Sequence, residues 1–344
     1  MSKEEVSEIW GEGADIQVEV LVLNRSDMLG LVSWNDVIDL EDMTYKACGM
    51  GQVVQPQKEF SFIDPPDNLN FFVAMPGFIK TINVAGIKYG SDFANRAPGQ
   101  PLGYALVLLC DPKETGKPFA LLDGGLITVL RTAGHSAIAA KYLAKKNSQT
   151  IALIGCGLEA IPHLAAFNEL FPLKVAKVYD IKPEAVAKFK QDAESLPLEI
   201  ISTKSAKEAV EEADIVCIIT TAQKPVVLEP WISPGCFVSG LMGFLDLDPM
   251  LSKKADKWVL GDMSSDGHHL IDLRGDGKVP MELSRDDVYG DMGEIVTGAK
   301  PGRENEQERI VYTHIGMGAH DLMLANEIYK RAKERGIGTR IRVI

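Results

Sequence analysis

Ile151-Ala-Leu-Ile-Gly155-Cys-Gly157-Leu-Glu-Ala160 is a short apolar run that ends in a glycine turn and leads straight into helix-forming residues. The stretch reads as strand, turn and helix. Gly155 permits a tight turn out of the strand, Gly157 lets backbone amides approach a diphosphate, and Ala160 lets the helix pack close to a sheet. The helix N-terminus offers free N–H groups and a positive dipole end to that phosphate. Twenty or so residues on, at about the spacing a dinucleotide site requires, Val175-Ala-Lys-Val-Tyr-Asp180 is a second apolar run ending in an acid. Asp180 is placed to accept hydrogen bonds from ribose hydroxyls and to repel a 2′-phosphate, which favours NAD(H) over NADP(H) and implies redox chemistry.

Working outward, the pattern after Arg131 alternates between helix and strand. Thr132 to Lys146 is alanine-rich and helical. Pro183 to about Leu196 is a helix, Leu198-Glu-Ile-Ile a strand, Ala206 to Ala213 a helix and Asp214 to Thr220 a strand. Cys236–Gly240 and Lys257–Asp262 are further strands. Such alternation implies a Rossmann-like, doubly wound parallel sheet. The region from about Asp15 to Leu130 differs. It carries strand-like runs at Ile16–Leu23, Phe71–Met75, Ile82–Tyr89 and Gly103–Asp111, a Ser33-capped helix to about Met50, and a hairpin turn across Asp111–Pro118. This half predicts an α+β domain with an antiparallel sheet. An amphipathic helix from about Asp321 to Arg335 returns to it. The expected organisation is α/β: residues 131–314 form the NAD-binding domain, and residues 1–130 with 315–344 form a discontinuous second domain.

Bulk properties exclude several function classes. A net charge of −12 with no basic run argues against nucleic acid or an anionic membrane as partner. Cys48, Cys110, Cys156, Cys217 and Cys236 are odd in number, widely spaced and without a CxxC pair, so they read as reduced thiols. No apolar run approaches the roughly 20 residues needed to span a bilayer, and the polar N-terminus lacks a signal-peptide profile. The expected compartment is the cytoplasm.

Gly86-Ile-Lys88-Tyr, Thr115-Gly116-Lys-Pro118, Leu130-Arg131-Thr132-Ala133-Gly-His-Ser136-Ala137, the Gly155 turn, Gly298-Ala-Lys-Pro301-Gly302-Arg303 and Tyr312-Thr-His-Ile-Gly316-Met-Gly-Ala-His-Asp321 together resemble the ornithine cyclodeaminase/μ-crystallin family. The resemblance covers nearly the whole chain. It implies that residues 1–130 with 315–344 are the substrate-binding and dimerisation domain of a homodimer paired through N-terminal sheets, with NAD(P)-dependent chemistry at C2 of an amino or imino acid in a cleft between domains. Members include ornithine cyclodeaminases, amino-acid dehydrogenases, imine reductases and thyroid-hormone-binding crystallins.

The resemblance places Arg131 on the substrate carboxylate, and a guanidinium fork does match a carboxylate bidentately. It makes Lys88 the general acid/base near C2. Burial and a neighbouring arginine would bring a strand-end lysine towards the working range. Lys58 lies where members often carry a carboxylate-binding arginine; Gln57 is the alternative. Thr132 and Ser136, read at a helix start, are assigned to the cofactor phosphates. Leu158 and Glu159 in the turn and Ile181 beside Asp180 are assigned to the cofactor as well. Thr220, Thr221, Ser239 and Met242, which follow parallel strands, should line the cofactor cleft. His135 reads as solvated and Asp321 as the cap of the last helix. Adjacent His268 and His269 point apart on any regular element, so no metal site is expected.

One departure bears on substrate. Ornithine cyclodeaminases carry an aspartate after the strand equivalent to Phe237–Gly240, for the distal ammonium. Here the stretch runs Leu241-Met242-Gly243-Phe244-Leu245-Asp246-Leu-Asp248-Pro249. Phe244 stands near that place, and Asp246 fits a helix start. The loop Val53 to Asn70, with Phe60, Phe62, Pro65 and Pro66, is expected to shape the pocket. The reading therefore favours a dehydrogenase or imine reductase. A cyclodeaminase-type ammonia-lyase and a crystallin-like ligand-binding protein without turnover are the alternatives.

Overall fold

The computed structural model describes residues 17–63, 70–93, 96, 99–113, 116–241, 246–272 and 283–343. Met242, Phe244, Asp64, Pro65, Pro66 and Thr115 lie outside these residues.

Two eight-stranded sheets organise the described chain. The first uses β1 (Glu19–Leu23), β2 (Val53–Val54), β3 (Glu59–Phe62), β4 (Phe71–Ile79), β5 (Val84–Asp92), β6 (Gly103–Cys110) and β7 (Pro118–Asp123). The second uses β8 (Thr150–Ile154), β9 (Val175–Tyr179), β10 (Glu199–Ser202), β11 (Ile215–Ile218), β12 (Phe237–Gly240), β13 (Lys257–Leu260), β14 (Gly290–Asp291) and β15 (Ile310–Thr313). The chain then returns to the first sheet through β16 (Thr339–Arg342), which pairs antiparallel with β1.

The second sheet has the order β10-β9-β8-β11-β12-β15-β13-β14, and every pairing is parallel. Strand order reverses between β8 and β11, the crevice where doubly wound sheets bind ligands. All four residues of β11, β12, β13 and β15 are buried. Burial on both faces explains why these strands read as continuous apolar runs rather than alternating ones. β15, which fills a central place in the sheet, has only four residues and follows the charged stretch Arg303–Arg309, so local pattern did not reveal it.

The first sheet is mostly antiparallel, with β1 and β7 parallel. Its inner face packs Ile79, Val84, Val107 and Leu122 against Ile127 of the helix Gly124–Leu143 and Leu322 and Met323 of the helix Gly318–Glu334. Its outer face alternates with the inner one and exposes Phe72, Tyr89, Tyr104 and Leu106.

Two helix boundaries correct the sequence reading. The alanine-rich helix spans Gly124–Leu143, with the Asp123 side chain accepting from Leu126 N–H at its start. Arg131, Thr132 and Ser136 are therefore in its interior, not at its N-terminus. Gly-Gly at 124–125 hid the start, because glycine is a poor helix former. The last long helix spans Gly318–Glu334 and has Met317 at its N-cap with no side-chain cap. Asp321 lies inside the first turn and caps nothing.

Candidate active site

Lys88 lies on the inner face of β5, opposite Met75 of β4 and Val107 of β6. That face meets the first turn of the helix Gly318–Glu334, and Lys88 Nζ lies 3.0 Å from Asp321 Oδ1. Arg131, from the helix Gly124–Leu143, donates from Nε to the same oxygen at 3.2 Å. Lys88 is 4% exposed, Arg131 7% and Asp321 0%, so two cations and one anion share a nearly dry position. Burying charges is tolerated only when they are paired. Burial, then the Arg131 charge, push the Lys88 ammonium down to about 8. Burial opposes ionisation of Asp321, but Lys88 and Arg131 outweigh it and hold its carboxyl below the ordinary range.

Lys58 joins this group from the segment before β3. Its Nζ donates to the carbonyls of Ile315 at 2.7 Å and Gly316 at 2.8 Å. Burial lowers its basicity, and the buried Asp266 works against that shift. Gly316 has φ +79°, and a Cβ there would collide with the Arg131 guanidinium. Glycine is thus needed both for the turn and for the passage of Arg131. The cleft beside these groups is lined by Lys58, Met75, Pro76, Ser265, Gly316 and Met317. Gln57 turns its amide to the Ser264 carbonyl at 2.7 Å, so Lys58 supplies the cation here.

The glycine turn lies at the C-terminal end of β8. Gly155 has φ +101°, and a Cβ there would stand 2.6 Å from the Ile219 carbonyl oxygen. At Gly157 a Cβ would meet nothing within 4 Å, so the space above the turn is open. The following helix, Ala160–Leu170, has Glu159 at its N-cap and no side-chain cap; Ala160 N–H donates to the Gly157 carbonyl at 3.1 Å and Pro162 has no N–H, so Ile161 carries the N–H that the first turn offers an anion. Asp180 sits beside the turn. Its carboxylate accepts from Cys156 N–H at 2.8 Å and from Lys182 N–H at 2.9 Å, which fixes its orientation at the end of β9. Leu158 and Ile181 flank this edge and, at 79% and 81%, are the two most exposed large apolar side chains among the described residues.

Other residues assigned to the cofactor lie deeper. Ser136 and Ser239 are 0% exposed and 3.0 Å apart through their hydroxyls. Ser136 also meets His163 Nε2 at 3.2 Å, so the two serines form a buried relay beneath the turn rather than a helix-start anion site. Thr132 donates to the Thr128 carbonyl one turn earlier. Thr220, just after β11, donates to Asp246 at 2.8 Å, while Thr221 follows it at the switch point. Burial raises Asp246 to about 7. The acid that caps the next short helix is Asp248, not Asp246.

Two residues escaped the sequence reading. Asp321 is the shared counter-ion of Lys88 and Arg131. His135 is fully buried among Glu41, His314 and His320 rather than solvated. The clue available for both was position alone. His135 follows Arg131 by one helical turn, and Asp321 falls in the first turn of a helix, where an acid also serves the dipole.

A model of the ornithine cyclodeaminase/mu-crystallin family matches residues 19–336. An alanine dehydrogenase of Archaeoglobus fulgidus is 30% identical over 335 residues, spanning 94% of this chain and 99% of that protein. A solved Delta(1)-pyrroline-2-carboxylate reductase of Thermococcus litoralis, in complex with NADH and L-proline, aligns with a TM-score of 0.85 at 32% identity, covering 94% of this chain and 100% of that one. An archaeal alanine dehydrogenase dimer with bound NAD aligns with a TM-score of 0.86 at 28% identity, covering 95% of this chain and 100% of that one.

Proposed function

This chain belongs to the ornithine cyclodeaminase/mu-crystallin family, and from that premise we propose that it is an NAD(H)-dependent oxidoreductase acting at C2 of an amino or imino acid. The observation that carries the reading is the buried Lys88–Asp321–Arg131 arrangement, with the Arg131 guanidinium packed on Gly316, which lines the cleft. An amino-acid dehydrogenase or imine reductase needs a carboxylate clamp and a proton carrier side by side. Among the described residues Arg131 gives only its Nε to Asp321, so its two terminal nitrogens remain to hold a substrate carboxylate as a fork. Lys58 adds positive charge at the same cleft. Lys88, brought to about 8 by burial and by Arg131, can give a proton to the substrate nitrogen or take one from it near neutral pH. Asp321 keeps Lys88 and Arg131 in place and offsets their charge.

The turn fits a dinucleotide. Open space at Gly157, the uncapped helix after it and the oriented Asp180 carboxylate suit a diphosphate and an unphosphorylated ribose. Leu158 and Ile181, exposed on that edge, are available to cover the base with Glu159 beside them. Thr220 and Thr221 face the switch point, and Thr132, Ser136 and Ser239 support it from within. NAD(H), when bound, supplies or accepts the hydride. Relatives named for alanine and for pyrroline-2-carboxylate, one of them solved with L-proline, support a small α-amino or cyclic imino acid.

The exposed apolar face formed by Phe72, Tyr89, Tyr104 and Leu106 suits pairing of two copies through the first sheet, and an archaeal relative is a dimer. No described helix is long and apolar enough to cross a membrane. All five cysteines are free, which supports a reducing, cytoplasmic setting.

The test is a panel: amino acids with NAD+, and keto acids plus amines or cyclic imines with NADH, followed at 340 nm. The reading expects an absorbance change with at least one small substrate. Tight NADH binding with no change for any substrate would instead indicate a binding protein.

A further inference from the structure

Glu41, His135 and His320 come from three different helices, Trp34–Gly49, Gly124–Leu143 and Gly318–Glu334, and converge on one buried point. Their exposures are 1%, 0% and 0%. Glu41 Oε2 lies 3.1 Å from His135 Nε2, and His320 Nδ1 lies against the same oxygen. One ligand-capable atom from each residue falls within 4.8 Å of the other two. The approach of His135 Nε2 to Glu41 lacks hydrogen-bond alignment, and that nitrogen has no hydrogen-bond partner. A buried ring nitrogen aimed at a carboxylate oxygen without a bond to it is costly, unless something lies between them. The other His135 nitrogen, Nδ1, meets His314 Nδ1 at 3.0 Å. Tyr45 packs its ring edge on His320 at 4.5 Å and closes one side of the cluster.

We propose that Glu41, His135 and His320 bind a divalent transition-metal ion of the zinc class. Two imidazoles and one carboxylate are a zinc donor set, with a fourth position left for water, whereas magnesium and calcium take oxygen ligands. His314 behind His135 is the outer partner that fixes the ring orientation of a metal-bound histidine. The ion ties together the helix that carries Arg131 and the helix that carries Asp321. It touches neither substrate nor cofactor and acts as a clamp behind the cleft.

The full-length protein, stripped with a chelator and reloaded with zinc, should hold about one ion per chain by mass spectrometry of the metal, as a single three-residue site requires. Glu41→Gln and His320→Asn should each weaken zinc binding by at least the about ten- to hundredfold that losing an outer partner costs, since each removes a ligand itself. The control His268→Asn should leave it unchanged. Zinc should raise the Tm of the wild type and not of the two ligand variants. X-ray absorption on the loaded wild type, which needs no variant to fold, should show only nitrogen and oxygen neighbours at about 2.0–2.2 Å, with imidazole scattering. A wild type that takes up no zinc, a sulfur shell, or equal binding by folded Glu41→Gln and His320→Asn would each overturn the proposal.

Discussion

The turn at Gly155–Gly157 comes from one continuous stretch and stands open, whereas the cluster around Asp321 draws Lys88, Arg131 and Lys58 from distant segments and is closed over. The open turn works through backbone: a positive φ, a helix start without a side-chain cap and one oriented carboxylate. The closed cluster works through side-chain charge, which survives burial only because each cation has its anion or carbonyl. The lesson concerns tolerance. A change at the turn should remove affinity for one ligand and leave the rest intact. A change in the cluster should disturb folding and chemistry together, because an uncompensated charge remains behind.

The sharpest way to break this contrast is Asp321→Ala. It strands Lys88 and Arg131, and removing one partner of a buried pair costs about 3–5 kcal/mol. Denaturant unfolding should show that loss, and turnover should vanish with it. A variant as stable as the wild type would mean that the cluster is less closed than it looks. Next in size is Lys88→Met. Turnover should fall about a hundred- to ten-thousand-fold, the usual weight of a general acid/base, while fluorescence titration should find NADH binding within about threefold of the wild type. Retained turnover would remove Lys88 from its role.

The turn should respond differently. Asp180→Ala removes a charged hydrogen-bond acceptor worth about 1.5–3 kcal/mol, so NADH affinity should drop by about one to two orders of magnitude, with a smaller loss of stability than Asp321→Ala because only the Cys156 and Lys182 N–H groups lose their acceptor. NADPH should lose far less, narrowing the preference between the two; an unchanged preference would contradict the ribose assignment. The smallest effect is on pH. Lys88 must be neutral to accept a proton in the oxidative direction and protonated to give one in the reductive direction. Oxidation with NAD+ should therefore rise with pH through about 8, and reduction with NADH should fall through about 8. Lys88→Arg, which stays charged, should flatten both profiles at a low residual rate.

The same contrast explains what could be read from sequence. The glycine turn and Asp180 were legible because a dinucleotide turn is a local device: apolar strand, glycines, helix, acid. The parallel sheet followed from the alternation of helix and strand after Arg131. Lys88 and Arg131 were legible through family resemblance together with a charge in an apolar run, although β5 continues to Asp92 and Lys88 sits at its middle rather than its end. Asp321 was not, because its partner Arg131 is 190 residues away, and an acid at a helix start has an ordinary local use. The Glu41–His135–His320 cluster was hidden for the same reason, since each member alone is an unremarkable helical residue. Ser136 looked like an anion ligand only while the helix was thought to begin at Thr132; the earlier start at Gly124 buries its hydroxyl against Ser239 and His163. β16, with four exposed residues reading Thr-Arg-Ile-Arg, gives no periodic signal that separates it from a tail.

The central claim, hydride transfer at C2 beside Lys88 and Arg131, is tested most directly by isotope. The protein is supplied with NADH carrying deuterium at both C4 positions of the nicotinamide, so that either face transfers label, and with the cyclic imine or keto acid plus amine that the panel identifies. Mass spectrometry and NMR then locate the label in the product. The account predicts one deuterium at C2 of the product amino acid. Product without deuterium at C2, or label elsewhere on the carbon skeleton, would contradict it.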